Sequence, residues 1–120
     1  MRKDLDAFFE ITERWRLNST ERRALLGVAS KERWSRCLHD AAPQLSQQEL
    51  LRARAVIQID ETLSVCLGSE REVALWFRTR KVVAPFSGRT PLALLFRGMT
   101  GFNAVGEHLV AWRNEIRMAK

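Results

Sequence analysis

The sequence predicts an all-α fold of six to seven helices. Apolar residues recur at helical spacing along most of its length. Hydroxyl or amide side chains suited to capping a helix stand before nearly every such run, several with Glu three residues later. The one stretch of extended character is "KVVAPF" at 81–86, and a single short run cannot build a sheet. A chain of 120 residues, 46% hydrophobic and 28% charged, suits one ordinary domain or two small lobes sharing a core.

"LDAFFEITERW" is the first amphipathic helix, with Leu5, Phe8, Phe9, Thr12 and Trp15 in helical register. Asn18 and Glu21 form a capping box that opens "TERRALL", which stops at Gly27. Ser30 caps "KERWSRCL". Pro43, in "AAPQLS", breaks the helical pattern. Ser46 with Glu49 opens the longest segment, "QQELLRARAVIQIDETLSVCL", which ends at Gly68. Its apolar positions wrap most of the way around, which predicts a central strut buried on more than one side. Ser69 with Glu72 reads as a third capping box, opening "EREVALWFRT". After the loop at 80–88, Thr90 is an N-cap, Pro91 suits the first helical turn, and Gly98 suits the left-handed residue that ends the short helix. The last helix is read from Phe102 onward, with Val105, Leu109, Trp112 and Ile116 on one stripe. The expected organisation is an N-terminal lobe at 1–45, a connecting helix at 46–68 and a C-terminal lobe at 69–120.

The net charge of +6 is unevenly spread. Residues 14–36 carry seven basic and two acidic groups, and residues 73–120 carry eight and two; the segment between them is net acidic. Two basic zones predict either two polyanionic or acidic partners, or simply a solvated basic surface. Cys37 and Cys66 are too few and too isolated for a disulfide framework or a zinc site. No signal peptide or membrane span is read, so a cytoplasmic protein is expected. His39 and His108 lack nearby ligand-spaced partners, and Asp60 and Glu61, adjacent on a helix, diverge by about 100°. No phosphate loop, metalloprotease motif or nucleophile elbow is present. The expectation is a protein that is not an enzyme and needs no cofactor or metal. The four tryptophans sit at apolar helical positions, where packing explains them better than base stacking.

The zone at 14–36 holds two short helices joined by "GVAS", the layout of a helix-turn-helix. Lys31, Arg33 and Arg36 on the second helix are candidate groove contacts, and Arg22 and Arg23 on the first are candidate phosphate contacts.

"RWRLNSTERRALLGVASKERWSR" resembles the N-terminal region of Xre/MbcA/ParS-type antitoxins, through Trp15, Leu17, Glu21, Leu25–Leu26–Gly27 and Trp34. "GSEREVALWFRTRKVVAPFSGRTPLALLFRG" resembles that family's toxin-binding domain, through Gly68–Ser69–Glu70, Trp76, the loop at 80–88, Gly88–Arg89–Thr90–Pro91–Leu92 and Leu94–Leu95. The chain departs from the family pattern at Arg80–Lys81, Ser87–Gly88, Met99 and Gly101. The resemblance implies a partner toxin of the RES type, an NAD-consuming enzyme whose cleft the C-terminal lobe covers. It also implies binding to operator DNA, with dimerisation expected. On that basis the toxin-binding candidates are Arg89, Thr90, Arg113, Arg117 and Lys120. For Arg89 two readings stand: an outward fork for a partner carboxylate, or a fold-back onto Asp60 or Glu61. The basic tail either enters a phosphate-binding cleft or is solvated. The runner-up for the whole chain is a helix-turn-helix regulator without a toxin, and a third reading is an adaptor that has lost DNA binding.

Overall fold

Helix starts in this chain are fixed by side chains that take up orphan amides of the first turn. The computed structural model describes residues 2–119. Its elements are α1 (Lys3–Arg14), α2 (Ser19–Leu26), α3 (Lys31–His39), α4 (Gln47–Cys66), α5 (Glu70–Arg78), α6 (Pro91–Leu95) and α7 (Met99–Met118). The described residues contain no strand, and the fold is all-α; "KVVAPF" contributes only an isolated bridge between Lys81 and Arg89. Both sides of the capping box are formed at Asn18–Glu21 and at Ser46–Glu49. Ser30 and Thr90 accept from Arg33 N–H and Ala93 N–H. At α5 the pairing is shifted. Ser69 accepts from Glu72 N–H, but the Glu72 carboxylate accepts from Gly68 N–H at 3.1 Å, one residue before the cap, so no reciprocal box closes.

Two boundaries differ from the sequence reading for packing reasons. Gly98 has a positive φ (91°), but with ψ −152° it is not the left-handed stop expected: α6 caps at Phe96, and Gly98 is the N-cap of α7. Gly101 therefore lies inside α7 and is buried. A Cβ at Gly101 would fall inside the van der Waals envelope of the Leu94 carbonyl oxygen, so glycine is what lets α7 lie against α6.

α4 is the strut, packed against α1, α2 and α7, while α6 bridges α5 and α7. One cluster of buried side chains runs from Leu5 to Leu109 through all three expected segments. Its aromatic spine is Trp15 against Phe77 (4.0 Å between centroids), then Trp76, Phe86 and finally His108. Trp15, Trp34 and Trp76 are buried, as packing residues should be. Trp112 is only half-buried.

Polar clasps tie the helices together. Asp60, buried on α4, accepts from Arg14 Nη2 and from Trp15 Nε1, each at 3.0 Å. Asp60 is thus occupied by the first helix, and Arg89 does not fold onto it. The Arg2 guanidinium donates to the carbonyls of Cys37, Leu38 and Asp40, closing the C-terminal end of α3, where a cation is favoured. Arg52 occupies the space between two turns whose glycines have positive φ. A Cβ at Gly27 would stand 2.8 Å from its Nη1, and one at Gly98 would stand 3.0 Å from its Nη2.

Arg78 on α5 makes a two-pronged pair with Glu21 on α2, at 2.8 and 3.1 Å. That hydrogen bond holds the Glu21 carboxyl below its ordinary value of 4.5; partial burial opposes the effect, and the Asn18 amide adds to it. A carboxyl lowered in the folded state stabilises above its unfolded pKa and ceases to do so as pH falls through the folded one. Glu21→Gln is therefore expected to cost under about 1 kcal/mol at neutral pH, as partly solvated pairs do. Urea unfolding of the two proteins should converge as pH drops well below 4.5.

Candidate macromolecular interfaces

The N-terminal basic zone divides on folding. Lys31 and Arg36 are exposed on α3. Arg33, from the same helix, is engaged within the chain: it forms a close ion pair with the buried Glu49 and donates to the Gln44 carbonyl. It fastens α3 to the start of α4. Arg22 and Arg23 on α2 are half-buried, and the Arg22 Nε is buried without a hydrogen-bond partner among the described residues. Trp34 turns inward, where its indole N–H donates to Ser19 Oγ at 3.3 Å and its ring meets Phe9 edge-on. The exposed cations of this helix pair are thus Lys31 and Arg36, while Arg22 and Arg23 are half-buried on α2.

The C-terminal zone is built on the loop between α5 and α6. Lys81 N–H donates to the Arg89 carbonyl and Gly88 N–H to the Lys81 carbonyl, while Phe86 and Ser87 amides turn back to the Val83 carbonyl. Left-handed Ser87 and Gly88 make the reversal. Phe86, only 1% exposed, plugs the loop into Trp76 and His108. The consequence is a fixed knuckle. Val82 is 91% exposed and Val83 60%, with exposed Arg80 just before them and exposed Arg89 bridged to the adjacent Lys81. The loop is closed by its own hydrogen bonds and so has little freedom left to lose on binding.

Beside the knuckle lies an open cleft of about 510 Å³ whose walls include Trp76, Lys81, His108, Trp112 and Glu115. The Lys81 ammonium stands 5.6 Å from the centroid of the Trp76 ring. Burial pushes the pKa of Lys81 down from its ordinary value of 10.5. It does the same to the His108 imidazole, partly offset by Glu115, with Lys81 adding to the fall.

Thr90 is half-buried and acts as the α6 cap. Arg89 is exposed with its backbone in the Lys81 bridge. Arg117 is exposed in the last turn of α7. Arg113, one turn earlier, is half-buried and lines a different feature, the groove between α4 and α7. Lys120 lies outside the described residues. The structure therefore gathers Arg89 with Arg80, Lys81 and the valine knuckle, and leaves Arg113 apart from them. The valines were missed from sequence because "KVVAPF" reads only as a loop or short extended piece, with no side chain assigned inward or outward; their exposure accompanies Phe86 taking the inward position.

Among the described residues no helix is long and apolar enough to cross a membrane, and no group of His, Cys, Asp or Glu is placed to hold a metal ion. Comparison with family models, curated proteins and solved structures finds no match. The described residues present two basic surfaces, one on a helix and one on a closed, apolar-tipped loop.

Proposed function

We propose that this chain is the antitoxin of a type II toxin–antitoxin pair, binding a RES-type NAD-consuming toxin through its C-terminal lobe and operator DNA, as a homodimer, through its N-terminal lobe. The single observation that supports the toxin half is the exposed, closed knuckle at 80–89, which lies within the C-terminal segment that resembles the toxin-binding domain, although the loop itself departs from the family pattern at Arg80–Lys81 and Ser87–Gly88. An apolar tip flanked by arginines fits an apolar recess rimmed by acidic groups, with Arg89 as the carboxylate fork and Arg117 as a second cation. The DNA half rests on Lys31 and Arg36 at an exposed helix face, where cations neutralise phosphates.

Co-expression with the product of the neighbouring gene tests the toxin half. The expected result is a stable complex in which Arg89→Ala with Arg117→Ala weakens affinity about tenfold, roughly 1.4 kcal/mol, with helical content unchanged. Undiminished neutralisation by that double variant would refute the assignment. For DNA, affinity for the promoter duplex should fall steeply with salt. Lys31→Ala with Arg36→Ala should flatten that dependence by about 0.9 in log–log slope for each phosphate no longer neutralised. A chain that binds promoter DNA but no neighbouring protein is the plain regulator instead.

A further inference from the structure

We propose that the groove between α4 and α7 seats a second copy of this chain, groove against groove across a two-fold axis. The groove has a volume of about 680 Å³, and Ala55, Ile59, Phe102 and Val110 contribute its apolar surface. Glu61 and Glu107 line it too, as does Arg113. None of these three has an ion-pair or hydrogen-bond partner among the described residues, and the Nε of Arg113 is buried without one. The Arg113 Nε, buried without an acceptor, is costly in a lone chain, while Glu61 and Glu107 stand exposed along the same groove. A two-fold axis brings the Arg113 of each copy to the carboxylates of the other, which is the self-complementarity an isologous interface needs.

Gly106 supplies a second, independent observation. It lies mid-helix in α7, where glycine is about 1 kcal/mol worse than alanine. Gly101, five residues earlier, is accounted for by the Leu94 carbonyl; a Cβ at Gly106 would meet nothing within 4 Å. The isolated chain gives no reason for a glycine there, whereas close approach of a second helix does. Val110, one turn on, is 40% exposed with no covering residue.

The proposal deepens the dimer expected for the DNA-binding reading, but its test needs neither DNA nor toxin. Light scattering on the purified full chain should give twice 13.9 kDa at high protein concentration. Val110→Glu and Gly106→Glu should each reduce the mass to that of one chain with helical circular dichroism unchanged, since both positions have room. Arg113→Glu should do the same, and adding Glu61→Arg and Glu107→Arg to it should restore the dimer. Val82→Glu, on the knuckle, should leave the dimer intact. A wild-type chain that stays at 13.9 kDa at every concentration overturns the proposal, as does a dimer that survives Val110→Glu. A monomer that still neutralises the toxin sinks this inference alone; a dimer that binds neither DNA nor toxin sinks the functional reading alone.

Discussion

Gly101→Ala is expected to destabilise the chain by about 3 kcal/mol or more, against the usual sign for this substitution in a helix. Alanine ordinarily stabilises a helical position by about 1 kcal/mol relative to glycine. Here the added methyl meets the backbone oxygen of Leu94, and neither α6 nor α7 can yield without moving buried Leu95 and Phe102. α6 is only five residues long and leans on α7 for its place. Its displacement would also disturb Thr90, the residue that follows Arg89 in the knuckle. Equilibrium urea unfolding measures the loss. A variant as stable as the parent would mean that α6 and α7 do not meet in the way described.

Asp60→Ala carries the second large effect, a loss of about 3 kcal/mol. Removing this carboxylate leaves the Trp15 indole N–H buried without an acceptor and leaves Arg14 without its partner. Unmaking one side of a buried pair costs more than the pair contributes, because the survivor stays desolvated. Trp15 is fully buried and stacked on Phe77, so it cannot swing out to water cheaply. Asp60→Asn keeps an acceptor oxygen for the indole and should lose about half as much. Urea midpoints for the two variants, taken side by side, separate the hydrogen bond from the charge. Equal losses would assign the whole effect to the Arg14 pair.

How far the sequence could be read depended on how local the deciding interaction was. The caps at Asn18, Ser30, Ser46 and Thr90 act across three residues, so their pattern is visible in the chain itself. The strut nature of α4 was visible in its wrapped apolar pattern. What stayed hidden were long-range matches. Asp60 with Trp15 spans 45 positions, and Arg2 with the end of α3 spans 35 to 38. Nothing local marks such pairs. The start of α7, read at Phe102, lies at Met99 for the same reason: the place of Gly101 inside the helix follows from the neighbouring carbonyl of α6. Arg33 reads as a surface cation because its acidic partner, Glu49, already has a visible local job in the α4 capping box. Of the candidate interface residues, Lys31, Arg36, Arg89 and Arg117 are solvent-facing as the sequence suggested. The knuckle valines were legible only once Phe86 was seen to be the loop's anchor.

The Arg52 guanidinium stands between two turns distant in sequence but close in space, the exit of α2 and the entry to α7. A single guanidinium cannot sit well in both places unless both turns keep their spacing. A change in the spacing of α2 and α7 would shift that seat, and a side chain larger than glycine at either turn would displace the guanidinium. Two ligands that each moved this seat would be linked through it, and reciprocity would make their effects on each other equal in free energy.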